Sequence, residues 1–252
     1  MSSLQRFFLT DHELTIDRTI DLGMISHQLQ VVLRLQLGVQ IVLLDGIGRA
    51  FLTEIITLDR KAATGRVLVE LPQPPEAPIP VTLYQCTLKA DKFEWVLQKA
   101  TELGIARFVP VISQRSVVRP AATILKKYDR WQSIIREAAE QCGRGRIPDL
   151  APPLDWEGAI QNAHGLCLLP WEDQTTILPS IKTALTVNQS TDYATLHSIS
   201  LLVGSEGGIS EEEAIAAQAA GWQPVNLGPR ILRAETAAIT STVLVMTHLG
   251  VL

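Results

Sequence analysis

Leu201-Leu202-Val203-Gly204-Ser205-Glu206-Gly207-Gly208-Ile209-Ser210 decides how the chain is read. It opens on an apolar run, then places three glycines within five residues, and Ser210 stands three residues before Glu213. The apolar run, begun at Ile199, suits a buried strand of a parallel sheet, and the Ser210/Glu213 spacing is a capping box that starts a helix. A strand therefore runs through a glycine turn into a helix. Because glycine has no Cβ, the backbone N–H groups of such a turn can come close to a ligand. The spacing G-x-x-G-G differs from the dinucleotide fingerprint G-x-G-x-x-G, and no phosphate-loop lysine follows it.

The alternation extends both ways. Strands are expected at Val81–Leu88, Ile105–Ile112, Leu166–Leu169, Ile199–Val203 and Val225–Leu227. Helices are expected from Asp91, boxed by Glu94, to Gly104, from about Thr123 to Cys142, from Ser210 to Gly221, and over Glu235–Leu249. This pattern predicts an α/β domain with a mainly parallel sheet. Upstream, Pro72 to Pro80 holds five prolines in nine residues, a stiff extended linker. Before it, Ile41–Leu44, Ala50–Leu58 and Arg66–Leu71 read as strands, with turn signals at Asp45-Gly46-Ile47-Gly48 and Thr64-Gly65. Leu29–Leu35 reads as a short helix ending near Gly38. The expected organisation is a small β-barrel over 1–73, a linker over 74–80, and the α/β domain over 81–252.

Charge is distributed unevenly. The net charge is −4, yet residues 107–146 carry nine basic residues against three acidic ones, a local +6 that leaves −10 elsewhere. Such a segment suits either a polyanion-binding face or a solvated helix surface. The three cysteines, Cys86, Cys142 and Cys167, lie far apart and never in C-x-x-C spacing, which argues against a disulfide framework or a structural zinc site. The N-terminus has an apolar stretch of only Phe7 to Leu9, and no run is long enough to span a bilayer. A cytoplasmic protein bound to neither membrane nor metal is expected.

A second segment carries chemistry: Asn226-Leu227-Gly228-Pro229-Arg230-Ile231-Leu232-Arg233-Ala234-Glu235-Thr236-Ala237. A strand enters a Gly-Pro turn bearing two arginines, then opens the last helix. A local Arg233–Glu235 ion pair is the purely structural reading of that arrangement.

The two segments together resemble the RsmE family within the knotted SPOUT class of RNA methyltransferases. Further matches are Lys89-Ala90-Asp91-Lys92-Phe93-Glu94 with Gln98 to Gly104, and Glu137 to Arg144; Arg6-Phe7-Phe8, His27, Val32 to Leu35 and Leu44-Asp45-Gly46 match more loosely. One departure stands in the glycine loop, where the family usually has proline and this chain has Ser205.

The resemblance implies methylation, from S-adenosylmethionine, of N3 of a uridine in 16S ribosomal RNA of the small subunit, at position 1498. It also implies a C-terminal trefoil knot, an N-terminal PUA-like barrel that contacts RNA, and a homodimer; the stripe Ile239, Val243 and Met246 of the last helix suits either the dimer contact or the core of its own domain. The cofactor would lie against Leu202, Val203, Gly204, Glu206, Gly207 and Gly208 on one loop, and Leu227, Gly228, Ile231, Leu232 and Ala237 on the other. RNA contacts fall to Arg6, Arg34, Lys89, Lys92, Arg115, Arg119, Arg144 and Arg146. Uracil N3 lies on the Watson–Crick edge, so the target base must be unpaired when it reacts. Arg233 is assigned to stabilise charge developing on the base, and Glu206 or Glu235 to accept its proton. A thiol helps methylation at C5, whereas N3 attacks directly, so Cys142 reads as a packed helix residue. Two rivals stay open: a ribose 2′-O-methyltransferase of the same fold, and a non-catalytic RNA-binding or ribosome-assembly factor on a decayed one. The intact glycine loop and arginine–glutamate segment argue against the second.

Overall fold

The computed structural model describes residues 4–59, 62–117, 120–172, 177–189 and 196–252. They fall into two units, one of residues 1–74 with 139–147, the other of 75–138 with 148–252.

The first unit holds β1 (Arg6–Phe8), β2 (Thr19–Asp21), β3 (Gln40–Leu44), β4 (Ala50–Leu58) and β5 (Ala63–Leu71). They form one sheet in the order β1-β3-β4-β5-β2, with β1 parallel to β3 and the other pairs antiparallel. The two-residue period of a strand divides its apolar side chains between two cores. Phe7, Ile41, Leu43, Phe51, Ile55 and Val67 face one side with Leu29, and Phe8, Val42, Leu44 and Ala50 face the other with Ala139. Both faces are covered, which is why Ile41–Leu44 is apolar throughout. The expected barrel is instead an open mixed sheet: among the described residues β1 and β2 end its path and no pairing joins them.

Thr64-Gly65 is not a turn. Gly65 lies inside β5 between Ile20 and Ile55, where a Cβ would stand 2.6 Å from Thr53 Cγ2 and 3.0 Å from Leu22 Cδ1. The glycine permits close packing, and the hairpin is closed by the Asp59 N–H donating to the Ala62 carbonyl at 2.7 Å. The helix expected over Leu29–Leu35 is a 3-10 turn at Gly23–Ile25 followed by a π-helical turn at Gln28–Val32.

The second unit contains β6 (Val81–Cys86), α1 (Ala90–Glu102), β7 (Arg107–Ile112), α2 (Ala121–Leu125) and α3 (Tyr128–Cys142), whose last residues count with the first unit. There follow β8 (Asp149–Leu150), β9 (Leu154–Asp155), α4 (Trp156–Gln161), β10 (Leu166–Pro170) and α5 (Ile181–Gln189). β11 (Ile199–Val203), α6 (Glu211–Ala219), β12 (Gln223–Val225) and α7 (Ala234–His248) complete it. The sheet runs β12-β10-β11-β6-β7-β8, with β9 also on β7, and every pair is parallel. The α/β expectation holds. One core gathers Tyr84, Cys86, Val111, Leu169, Leu202 and Trp222.

Several boundaries differ from expectation. Helix α1 begins at Ala90 after an N-cap Lys89 that has no side-chain acceptor, so Asp91 and Glu94 both fall inside the helix and close no box; Glu94 instead receives Arg130 through both oxygens, at 2.6 and 2.7 Å. The long helix expected over 123–142 is interrupted between Leu125 and Tyr128. The strand expected at Val225–Leu227 ends at Val225, freeing Asn226 and Leu227 for the loop that follows. Ser210 and Glu213 do make the reciprocal box. Of the stripe left open between dimer contact and core, Met246 is fully buried in this chain beside Gly104, whereas Val243 is exposed.

Gly65→Ala should lower the stability of the first unit by about 1–3 kcal/mol, the usual cost of overpacking. The check is a denaturant titration followed by amide exchange at β4 and β5; a parental midpoint would show that Thr53 and Leu22 yield freely.

Candidate active site

Parallel strands bring their carboxyl ends to one edge, and ligands of open α/β sheets bind there. At that edge, beyond β10, β11 and β12, lies a cleft of ≈ 780 Å³. Pro170, Trp171 and Glu172 line it after β10; Val203–Glu206, Gly208 and Ile209 after β11; Asn226–Arg233 after β12. Ala234 and Ala237 of α7 and Lys92 of α1 complete the walls.

The first loop is fastened from three sides. Buried Gln85 donates its amide to the carbonyls of Val203 (3.4 Å) and Gly204 (3.2 Å), at the point where the sheet stops pairing. Gly208 donates to the Ser205 carbonyl at 2.9 Å with φ +74°, a conformation glycine adopts without strain. Arg115 Nη1 donates to the Gly207 carbonyl at 3.1 Å. Behind the loop, buried Glu213 accepts the Ser210 N–H at 3.0 Å through one oxygen and the Gln114 N–H at 2.6 Å through the other. The capping box thus also docks the segment bearing Arg115. On the second loop, Asn226 accepts the Ile181 N–H at 3.1 Å and donates to the Pro179 carbonyl at 2.9 Å, while its side chain donates to the Leu178 carbonyl. Its Oδ1 accepts the Gly228 N–H at 3.2 Å, which folds the loop at Gly228, φ +114°.

An ion cluster sits where the loops meet α1. Lys92 Nζ lies 3.4 Å from Glu235 Oε1 and 3.8 Å from Glu206 Oε1, and Glu206 Oε1 also accepts the Lys89 N–H at 3.1 Å. The second oxygen of each carboxylate is buried with no hydrogen-bond partner among the described residues, as is Ser205 Oγ. Glu235 therefore pairs with Lys92 rather than with Arg233. Arg233 caps α7 through its backbone, and its exposed side chain makes no hydrogen bond or ion pair with a described residue. Burial pushes the Cys86 thiol up to about 12, so no thiolate is available from it.

The cleft brings together most of the residues expected around a cofactor. Val203, Gly204, Glu206, Gly208, Leu227, Gly228, Ile231, Leu232 and Ala237 line it, with Arg233. Leu202 belongs to the core instead, and Gly207 faces Arg115, whose Cβ and carbonyl oxygen lie 2.9 and 3.2 Å from where a Cβ would stand. Of the residues assigned to RNA, Lys92 lines the cleft, Arg115 is bonded to the Gly207 carbonyl of the glycine loop, and Lys89 is tied to Glu206 through its backbone. In the first unit the Arg6 guanidinium lies over Gly143 and that of Arg146 over Gly48, with Arg144 on the same short segment. Arg34 stands apart after the π-helical turn with φ +53°, and Arg119 lies outside the described residues. Trp171 and Glu172 were missed; the signal was their place directly after the buried run Leu166–Pro170, parallel to β11.

A family profile described as an RNA methyltransferase domain matches residues 75–246. Ribosomal RNA small subunit methyltransferase E of Synechocystis sp. is 37% identical over 214 residues, covering 84% of this chain and 67% of the relative. Its namesake in Bacillus subtilis is 29% identical, covering 94% and 93%. Among solved structures, ribosomal RNA small subunit methyltransferase E of Neisseria gonorrhoeae bound to S-adenosyl methionine superposes with TM-score 0.83 at 32% identity, covering 97% of this chain and 98% of that one. A methyltransferase of Legionella pneumophila in complex with the same cofactor gives 0.81 at 30%, covering 95% and 96%. On the fold, the loops and these likenesses, the chain belongs to the ribosomal RNA small subunit methyltransferase E family.

Proposed function

We propose that the protein transfers the methyl group of S-adenosylmethionine to N3 of a uridine in 16S ribosomal RNA, the family position 1498. The observation that carries this reading is the cleft itself, walled by two glycine turns and lined by an exposed arginine, Arg233, that has no side-chain partner among the described residues. Its size suits a nucleoside-bearing cofactor, and the turns that line it after β11 and β12 are where backbone would hold one. S-adenosylmethionine supplies a methyl group on a sulfonium. Trp171 offers an aromatic wall and Glu172 a carboxylate for hydroxyls, while Arg233 meets negative charge that develops on the uracil ring as N3 attacks.

RNA would be held by Arg6, Arg144 and Arg146 of the first unit and by Arg115 beside the glycine loop. The trefoil knot expected of the C-terminal part agrees with the way residues 178–181 are laced to Asn226. A homodimer in the cytoplasm completes the reading, with exposed Val243 and half-buried Ile239 as contact candidates. The decisive experiment maps modified nucleotides in 16S ribosomal RNA from cells with and without the protein. Loss of one N3-methyluridine supports the reading, whereas loss of a ribose methyl, or no loss, refutes it.

Three outcomes are expected of variants. Arg233→Ala should slow single-turnover transfer by roughly 10²–10³-fold at saturating cofactor and RNA while changing cofactor affinity little. An unchanged saturated rate would make Arg233 a binding residue. Gly207→Val should weaken cofactor binding in calorimetry by driving the loop off Arg115, and Arg115→Ala should weaken it on the order of tenfold through loss of a charged hydrogen bond. Neutralising Arg144 and Arg146 should reduce RNA affinity and flatten its dependence on salt, since fewer counterions are released. Equal salt slopes would place the RNA elsewhere.

A further inference from the structure

The glycine loop after β11 has two sides. Gly204, Ser205, Glu206 and Gly208 line the cleft, whereas Gly207 lies outside the lining and faces Arg115, whose guanidinium donates to its carbonyl. Arg115 is exposed, yet the turn that bears it is fastened on several sides. Ser116 Oγ accepts the Ser113 N–H at 3.1 Å and lies 2.9 Å from Ser113 Oγ, and both serines are buried. The Ser116 N–H returns to the Ser113 carbonyl at 3.1 Å. The Cys86 thiol is in hydrogen-bond contact with the Ser113 side chain of the turn and the Ser205 backbone of the loop. One charged group joins the turn to α6: Glu213 Oε1 accepts the Gln114 N–H at 2.6 Å. Glu213 is 8% exposed and has no ion-pair partner among the described residues. A buried carboxylate is costly unless its lone pairs are used, and here a helix N-terminus and two N–H donors offset that cost. A capping box needs only the contact from Glu213 Oε2 to the Ser210 N–H, at 3.0 Å, which a neutral glutamine would also supply. What the carboxylate adds is a second acceptor for a donor on a different element.

Resting on the reading of the cleft as the cofactor site, we propose that Glu213 is a positioning residue for cofactor binding. By holding the Gln114 N–H it seats the Arg115 guanidinium on the Gly207 carbonyl and so fixes the outer side of the glycine loop. Glu213 stands outside the cleft lining and acts only through this chain of contacts. The peptide groups on the cleft side are then held in one arrangement before the cofactor arrives, which lowers the ordering cost of binding. Helix capping and cofactor positioning are thus two tasks of one carboxylate, one for each oxygen.

Two measurements on the whole chain test this. The carbon shift of the Gly207 carbonyl, read by NMR without cofactor, reports the hydrogen bond from Arg115, and calorimetry gives the affinity for S-adenosylmethionine. Glu213→Met and Arg115→Ala should move the Gly207 signal in the same direction, and each should weaken the cofactor on the order of tenfold. The double variant should bind no more weakly than either single one, because both changes break the same chain of contacts. Glu213→Gln keeps one acceptor for two donors and should fall between the parental protein and Glu213→Met in both readings. The same cycle run with Glu213→Gln decides the matter should Glu213→Met fail to fold. Ser210→Ala separates capping from positioning, since it removes the other half of the box and leaves the Gln114 contact. It should lower the unfolding midpoint, and its effect on affinity should simply add to that of Arg115→Ala. Losses that add for Glu213, or a Ser210→Ala coupling to Arg115 as large as that of Glu213, would overturn the assignment and leave Glu213 a helix cap. A parental protein that binds no S-adenosylmethionine would overturn the cofactor reading and the assignment together.

Discussion

A buried parallel strand cannot simply stop: the peptide groups at its carboxyl end have lost their neighbours in the sheet and still need partners. At the end of β11 that need is met by one fully buried amide. Gln85, the penultimate residue of β6, donates to the carbonyls of Val203 and Gly204 and so replaces the pairing that ends there. With those carbonyls satisfied inward, the next peptide groups are free to turn through Gly207 and Gly208 and face the cleft. The capping box at Ser210 and the docking of Gln114 on Glu213 then fix where the turn ends. The cleft is thus a by-product of how the sheet terminates. It needs no large conformational cost to form.

Charge follows the same economy. The overall balance is acidic, but the basic residues of 107–146 are not one surface. Arg107 pairs with Asp149 and Arg130 with Glu94, so part of the local excess is spent inside the second unit on ion pairs at an exposed surface. Arg115 turns to the glycine loop. What is left for a polyanion is smaller than the sequence count suggested.

The parallel sheet was legible because its central strands are apolar and several of its helices stop at a glycine, at Gly104, Gly143, Gly221 and Gly250. Ile199–Val203, Ala50–Leu58 and the box at Ser210 were read directly, since each rests on a local pattern. The misreadings share a cause: a local signal overridden by a distant partner. Glu94 has capping-box spacing, but Arg130 claims both its oxygens. Gly65 has turn composition, but Thr53 and Leu22 need its missing Cβ. The cleft glycines were foreseeable; Trp171 and Glu172 were not, because only the adjacency of β10 to β11 and β12 brings them to the site. The partnering of Lys92 with two carboxylates belongs to the same class, since α1, β11 and α7 meet only in the fold.

The first unit takes in residues 139–147, where Ala139 fills one of its cores and Glu140 accepts the Phe8 N–H at 2.9 Å. It is therefore not a continuous stretch of chain, and this constrains its birth on the ribosome. When residue 74 has emerged, one face of the sheet still lacks its cover and Phe8 still lacks its acceptor. Synthesis must continue as far as residue 147, roughly 4–15 s later at ordinary elongation rates, before the unit can close. During that interval Phe8, Val42 and Leu44 form an uncovered apolar face on a nascent sheet. An enzyme of ribosome maturation would thus emerge from a ribosome with its own amino-terminal part unfinished until the first two of the seven strands of the α/β sheet had been made.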